Sequence, residues 1–127
     1  TLAWSSAASD VYKRQATALL ANMRSRSVPA SIQSISTNAD NQDVVSMGTI
    51  AALKTAELVD NLFDLLSICA ITMTQAFELK GGFEANSGFG KSAQELATTV
   101  RNISPFIKDD RPLYGEIATV AQTLGKL

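Results

Sequence analysis

Apolar residues recur with a seven-residue spacing through the middle of the chain and predict one long helix there. The spacing forms two interleaved series: Val45, Ala52, Val59, Leu66 and Met73, with Thr49, Ala56, Phe63, Ala70 and Phe77 between them. Such heptad repeats are typical of a helix that packs along a seam. We expect the helix to run from about residue 41 to residue 79 and to end at Gly81-Gly82, because glycine adopts the left-handed backbone that closes many helices.

Shorter segments on either side of this helix complete an all-helical pattern. Residues 16–23 have helical composition, whereas residues 30–37 predict an extended or irregular loop. A helical hairpin is expected over about residues 92–125, with Ser92 and Glu95 in capping-box spacing and a last helix that begins near Pro112. The apolar face of that last helix consists of Leu113, Ile117, Val120, Ala121 and Leu124. No segment convincingly predicts a strand, so the fold class is all-α.

The long helix is too long and too apolar to be enclosed by a chain of this size. Its charges stop at Asp64 and resume at Glu78, and a second apolar face consists of Leu58, Leu62, Leu65 and Cys69. Roughly 38 residues would give about 57 Å of helix, whereas a compact domain of 127 residues has a radius of gyration of about 14 Å. We therefore expect a long-helix bundle in which further sequence or other subunits cover this helix.

Composition excludes several classes of function. A net charge of −1 gives no footprint for nucleic acid, and the absence of histidine excludes Ser-His-Asp and Cys-His catalytic sites and histidine-bearing metal sites. We predict no metal site.

The longest uncharged apolar-rich run, residues 65–77, falls short of the roughly 20 residues that span a bilayer, so a soluble protein without a membrane partner is expected. Cys69, the single cysteine, is interpreted as a small core residue in a reducing compartment.

Two motifs resemble sites but favour structural interpretations. Gly88-Phe89-Gly90-Lys91-Ser92 is similar to the end of a phosphate-binding loop, yet the earlier glycine that such a loop needs is Ala85 here, and no apolar strand precedes it. The run Lys108-Asp109-Asp110-Arg111 places two carboxylates side by side before a helix. Charges at such a position usually cap the helix or are solvated.

The most informative segment is the polar cluster Asn38-Ala39-Asp40-Asn41-Gln42-Asp43, which leads into the long helix. Asp40 is predicted to be the N-cap of that helix, with Asp43 three residues further on. The first turn of a helix has unpaired N–H groups and a positive dipole, and it attracts carboxylates for this reason. The sequence therefore predicts a polar site at the start of the helix.

The run NQDVVSMG over residues 41–48 closely resembles a helical region of the aromatic amino acid ammonia-lyases and the related 2,3-aminomutases. The similarity extends to residues 18–20, 28–31, 35–37 and 110–114, and so covers nearly all of residues 16–127. It implies that residues 16–127 are the C-terminal part of the family's helical lyase domain, which has a fumarase/aspartase-like fold. It also implies a cytoplasmic homotetramer whose long helices form a central bundle.

Residues 1–15 are interpreted differently. The stretch SSAASDVYKRQ over residues 5–15 is similar to the translation of a sequencing-library adapter. We therefore expect residues 1–15 to be an artefact of a truncated shotgun assembly, and native sequence to begin near Ala16. An N-terminal part of the protein is then expected to be missing from the chain.

The resemblance also implies where the chemistry lies. In the family, the electrophile is 4-methylidene-imidazol-5-one, formed from an Ala-Ser-Gly tripeptide, and a tyrosine on a mobile lid acts as base. This chain has no Ala-Ser-Gly, so both elements are expected in the missing part, and no cofactor-binding residue is expected here. The resemblance implies Gln42 as the catalytic residue close to the electrophile, and Asn38, Asn41 and Gln42 as substrate-binding residues. The fragment alone is expected to be inactive.

The same positions bear on the substrate, which the resemblance implies is a small aromatic L-amino acid. Histidine-specific members usually carry Glu in place of Gln42 and His in place of Val44, so tyrosine or phenylalanine is preferred over histidine. Elimination of ammonia to give an arylacrylate is the leading interpretation. Two alternatives stay open: a 2,3-aminomutase, which adds the ammonia back, and a non-catalytic helical oligomerisation module.

Overall fold

The computed structural model describes residues 4–41, 43–82 and 88–126, with side chains from Tyr12 onward. Four α-helices lie within these ranges: α1 (Trp4–Arg26), α2 (Gly48–Leu79), α3 (Lys91–Ile103) and α4 (Tyr114–Leu124). A 3₁₀ turn at Ala30–Gln33 follows α1 and replaces part of the predicted loop. The described ranges contain no strand, and the prediction of an all-α fold is confirmed.

The core forms where the hairpin of α3 and α4 covers one face of α2. Its buried residues are Ile71, Val100, Leu113 and Val120. Half-buried side chains that pack against them are Tyr12, Ala70, Ile103, Ile107, Ile117 and Leu124. Full burial of an aliphatic side chain of this size contributes about 1.5–3 kcal/mol. The apolar face predicted for the last helix is therefore the face that closes the core.

A set of hydrogen bonds, here named the Gln75 clamp, fixes the α3–α4 connection to α2. Gln75 Nε2 donates to the carbonyl oxygen of Ile107 at 3.0 Å, and the Ile107 N–H donates to Gln75 Oε1 at 3.1 Å. The Arg101 guanidinium donates to the same Oε1 at 3.0 Å, to Glu78 Oε1 at 2.7 Å and to the carbonyl oxygen of Ser104 at 2.9 Å. A polar residue in the most apolar part of α2 thus satisfies backbone groups that would otherwise lack partners.

Glu116 fastens the start of α4 to the same connection. Its carboxylate accepts hydrogen bonds from the Ser104 hydroxyl, which is fully buried, and from the Arg111 guanidinium. Arg111 also donates to the carbonyl oxygen of Pro105 at 3.0 Å. The arginine of the charged run 108–111 therefore has a structural role.

The predicted start of α2 is wrong by about two turns. The helix begins at Gly48 rather than near residue 41, and its N-cap is Met47, which has a left-handed backbone with φ 53°. The Ala51 N–H donates to the Met47 carbonyl at 2.9 Å, which closes the first turn. The predicted end is confirmed, because Gly81 and Gly82 have φ 95° and 65°.

The predicted capping box of α3 does not form. Gly90 is the N-cap, and no side chain caps this helix. The Gly90 carbonyl accepts the N–H of Ala93 at 3.1 Å instead. The backbone alone is therefore sufficient to start α3, and Ser92 has no capping role.

Helix α2 buries one narrow face, formed by Ser67, Ile68, Ile71 and Thr74. The predicted heptad seam lies largely outside this face, with Leu66 and Met73 exposed to 44% and 71%. Cys69 is also exposed, so its interpretation as a core residue is wrong: the hairpin selects the face of Ile71, and Cys69 points elsewhere. By length and composition alone, α2 is apolar enough to cross a membrane, a test that the core helix of a soluble protein also passes.

Candidate functional site

The polar segment before α2 folds around the carboxylate of Asp43. This carboxylate accepts the backbone N–H groups of Thr37 at 2.9 Å, of Asn38 at 2.8 and 3.0 Å, and of Asp40 at 2.7 Å. It also accepts the Ser36 hydroxyl at 2.8 Å. Hydrogen bonds to an ionised carboxylate are roughly twice as strong as neutral ones. Asp43 therefore joins Ser36, Thr37, Asn38 and Asp40 into a hydrogen-bonded ring, and the described residues of the range 34–47 are named the Asp43 loop below.

These hydrogen bonds also favour the ionised form of the Asp43 carboxyl. The Thr37 N–H and the Ser36 hydroxyl, followed by the N–H groups of Asn38 and Asp40, lower the pKa of the Asp43 carboxyl from 3.8 to about 2, although desolvation acts in the opposite direction. Hydrogen bonds to the charged form favour that form. Asp43 is therefore ionised at neutral pH.

A tight turn at residues 38–41 forms the tip of the loop. The Asn41 N–H donates to the Asn38 carbonyl at 3.0 Å, and Asn38 Nδ2 donates to the Asn41 carbonyl at 3.2 Å. The two central residues, Ala39 and Asp40, have φ 52° and 64°, as in a type I′ turn. Asp tolerates this region, whereas Ala at positive φ costs roughly 1–2 kcal/mol. The bonds to Asp43 offset this cost.

The loop is also fixed at its two ends. The Ser34 hydroxyl donates to the Asp43 carbonyl at 2.7 Å and accepts the Val45 N–H at 3.1 Å, so it joins the segment that enters the loop to the segment that leaves it. Lys54 Nζ on α2 donates to the Val28 carbonyl at 2.5 Å, ahead of the 3₁₀ turn that leads into the loop. Hydrogen bonds therefore fix the segments on both sides of the turn, next to the first turns of α2.

The structure brings two of the three predicted site residues together. Asn38 and Asn41 are paired across the turn, and both are exposed. Gln42, the predicted catalytic residue, lies outside the described residues. Asp40 is not an N-cap, because its N–H donates to Asp43 and α2 begins only at Gly48. The expected attraction of a carboxylate by the helix start is therefore not available at Asn41.

Sequence reasoning missed the residue that organises the site. Asp43 was expected to take part in a helix cap, yet its side chain bonds to N–H groups that precede it in the chain. The sequence predicts only an extended or irregular loop around Ser34 and Ser36. A signal was present, because Ser, Thr, Asn and Asp side chains readily bond to nearby backbone groups in turns, and residues 34–43 are rich in them.

The groups on the loop suit binding rather than proton transfer. A carboxamide donates through its nitrogen and accepts through its oxygen, and it stays neutral at every ordinary pH. Asn38 and Asn41 can therefore bind the polar end of a small molecule without adding charge. Within the described ranges, no three His, Cys, Asp or Glu residues lie together as a metal site would require.

Comparison with known proteins places this loop in a family. The family model described as "Aromatic amino acid lyase" matches residues 6–102, a range that contains the whole Asp43 loop and α2. The chain belongs to this family. The family prediction made from residues 41–48 is thereby confirmed.

Named relatives within the aromatic amino acid lyases differ in activity. A tyrosine ammonia-lyase of Cereibacter sphaeroides is 48% identical over 109 residues, which are 86% of this chain and 20% of that protein. A "MIO-dependent tyrosine 2,3-aminomutase" of Streptomyces globisporus is 37% identical over 87% of this chain and 20% of its own length. A histidine ammonia-lyase of Caldanaerobacter subterraneus is 38% identical over 80% of this chain and 19% of its own length. The chain thus spans about a fifth of the length of these relatives.

Proposed function

We propose that the chain is part of an ammonia-lyase that eliminates ammonia from tyrosine or phenylalanine to give an arylacrylate. The observation that carries this proposal is the Asp43 loop, which presents the neutral amides of Asn38 and Asn41 on a braced turn. Membership of the aromatic amino acid lyase family supports the reaction type.

The reaction defines what this chain has to contribute. The Cα–N bond breaks and ammonia leaves with its electron pair, a base removes a proton from Cβ, and the Cα–Cβ double bond forms. The base and the electrophile are not among the groups of this loop. We assign to Asn38, Asn41 and Gln42 the binding of the amino and carboxylate end of the substrate, with Gln42 nearest the reacting atoms.

The methylidene-imidazolone group that family members use supplies an electrophile, which makes the amino group a better leaving group. The 127 residues contain no Ala-Ser-Gly from which it forms, so another part of the complete enzyme would provide it. The neutral, exposed amides of Asn38 and Asn41 are compatible with a position that lines the site of such a group. They add hydrogen bonds there without adding a charge or a competing nucleophile.

The substrate preference rests on charge. An imidazolium ring is best bound beside a carboxylate, and Gln42 supplies an amide at the position where histidine-specific members usually have Glu. The 48% identical relative is a tyrosine ammonia-lyase. Tyrosine and phenylalanine are therefore proposed ahead of histidine.

A homo-oligomer, a tetramer by similarity to the family, is part of the proposal. Large apolar side chains on one face of α2 are exposed in this chain, among them Val59, Leu62, Leu66 and Met73. A contiguous exposed apolar face of this kind marks an interaction surface. We propose that further sequence and other subunits cover it in a cytoplasmic enzyme without nucleic-acid or membrane partners.

Extension of the reading frame upstream, followed by expression and product analysis of the complete protein, tests the proposal. An Ala-Ser-Gly tripeptide upstream, with arylacrylate and ammonium formed in equal amounts from tyrosine or phenylalanine, is the expected result. Product from histidine alone would overturn the substrate assignment. A frame without Ala-Ser-Gly and a protein without product would leave a helical oligomerisation module as the function.

A 2,3-aminomutase is the second candidate, favoured by the similarity to the Streptomyces globisporus enzyme. The same product analysis separates the two. A β-amino acid accumulating from tyrosine would identify the aminomutase, whereas an arylacrylate that accumulates without it identifies the lyase.

A further inference from the structure

We infer that Asp43 is a positioning residue of the active site: its carboxylate holds the turn that presents Asn38 and Asn41, without itself contacting the substrate. This inference rests on the proposed function, since it gives Asp43 a part in the same site. It assigns a role to a residue that its spacing from Asp40 in the sequence placed in a helix cap.

The geometry directs the carboxylate inward, toward the backbone of its own loop. Both oxygens are engaged: Oδ1 accepts the N–H groups of Thr37 and Asn38, and Oδ2 accepts those of Asn38 and Asp40. The Ser36 hydroxyl adds a further bond to Oδ2 at 2.8 Å. A carboxylate with this many protein donors has little remaining capacity for a ligand. It acts on the substrate only through the backbone it holds.

The held backbone is the part of the loop that carries the amides. Asn38 donates its own N–H to Asp43, and Asn41 is bonded to Asn38 through both backbone and side chain. The turn between them places Ala39 and Asp40 at positive φ. Non-glycine residues persist in that region only where the surroundings determine it strongly. Removal of the Asp43 charge would therefore release the turn and move both amides.

Asn is the most informative replacement for Asp43, because it keeps the size of the side chain and changes one oxygen acceptor into a donor. One set of backbone N–H groups then faces an NH₂ group and loses its acceptor. Asp40→Asn is the matched control. It removes the same charge from the same loop, Asn tolerates φ 64° as well as Asp does, and the described contact of Asp40 with the ring is made by its backbone.

The test uses the complete enzyme and two readouts. Hydrogen exchange of the peptide covering residues 35–43 is expected to become faster in Asp43→Asn and to stay unchanged in Asp40→Asn, with exchange in residues 67–75 of α2 unchanged in both. For tyrosine, kcat/KM is expected to fall about 10- to 100-fold in Asp43→Asn, mostly through kcat, because small misplacements of positioning groups cost on this scale. For Asp40→Asn, a change within about threefold is expected.

A milder variant keeps the test decisive if Asp43→Asn does not assemble. Ser36→Ala removes one donor to Asp43 and one acceptor of the Asp40 N–H, which lies 3.2 Å from the hydroxyl. The Asp40 N–H keeps Asp43 Oδ2 as an acceptor, so the net loss is the hydrogen bond from the hydroxyl to Asp43, and a smaller fall in kcat, of roughly 3- to 10-fold, is expected. Unchanged kcat and unchanged exchange in Ser36→Ala, or in an assembled Asp43→Asn, would overturn the inference.

Failure of the inference is distinguishable from failure of the proposed function. A complete wild-type protein that forms no product overturns the proposed function, and the exchange readout then decides the role of Asp43 in the loop by itself. A wild-type enzyme that forms product while Asp43→Asn matches Asp40→Asn in both readouts overturns the inference alone.

Discussion

The Gln75 clamp gives a quantitative prediction about what holds the helical hairpin on α2. Substitution of Gln75 by Met keeps the length of the side chain and its helix propensity but removes every hydrogen bond of the amide. The N–H and C=O of Ile107 then lose their partners on α2, whereas Arg101 keeps its bonds to Glu78 and Ser104.

The size of the effect follows from these two backbone groups. A buried polar group left without a partner costs about 1–3 kcal/mol. Gln75 and Ile107 are half-buried, so water can satisfy part of the loss, and we take a total of about 2–3 kcal/mol for local opening of residues 104–113. Since about 1.4 kcal/mol corresponds to a factor of ten, exchange of the Ile107 N–H should become roughly 30- to 150-fold faster.

The assay is hydrogen exchange of the peptide covering residues 104–113, under conditions where the rate reports the free energy of local opening. Gln122→Met is the matched control, because Gln122 is exposed on α4. An exchange rate in Gln75→Met within about threefold of the rate in Gln122→Met would refute the idea that the clamp holds the hairpin.

Three further predictions concern the fragment and its loop. The purified 127-residue chain should form no arylacrylate from tyrosine or phenylalanine, because it has no source of electrophile; measurable product would contradict this. The same chain should self-associate through the exposed face of α2, and a strictly monomeric species at high micromolar concentration in sedimentation would count against it. Because the pKa of Asp43 is lowered from 3.8 to about 2, its contribution to loop stability is fully present above pH 4 and is lost as pH falls toward 2. The backbone N–H groups of residues 35–43 should therefore be protected from exchange at pH 5 and should lose this protection between pH 4 and 2, once the intrinsic pH dependence of exchange has been corrected for. Protection that stays constant over this range would argue against an ionised Asp43 as the group that holds the loop.

The parts of the fold that were predicted from the sequence are those that depend on strong periodicity or on glycine. The apolar positions from Leu113, the N-cap of α4, to Val120 recur at helical spacing and lie in the core. The pair Gly81-Gly82 ends α2 because both residues have positive φ. In these places local preference and tertiary packing agree, and the pattern alone is therefore sufficient.

The start of α2 and the environment of Cys69 could not be predicted, for two different reasons. A side chain such as Asp43 can bond to N–H groups on either side of it, and the residue types are the same for a helix cap and for the observed ring. Helix α2 is apolar on more than one face, so hydrophobicity does not say which face the hairpin covers. That choice is made by Val100 and Val120 on the other helices.

The site was predicted only as far as its residue types. The resemblance singled out Asn38 and Asn41, and the structure pairs them on one turn. The reason they are held there is Asp43, whose bonds to Thr37, Asn38 and Asp40 require the folded turn to exist. A pattern of amides identifies candidate ligands, but their support is visible only in three dimensions.

The most direct test of the central claim, that the segment before α2 forms the polar wall of a lyase active site, is the kinetics of Gln42→Glu in the complete enzyme. On that claim, the substitution replaces a donor by an acceptor-only anion near the substrate carboxylate. A lost bond to a charged group costs about 1.5–3 kcal/mol, so kcat/KM for tyrosine or phenylalanine should fall roughly 10- to 150-fold. Asn61→Asp, the same kind of amide-to-acid change within α2, should have a far smaller effect. Equal kinetics for wild type and Gln42→Glu, with the oligomer intact, would contradict the claim.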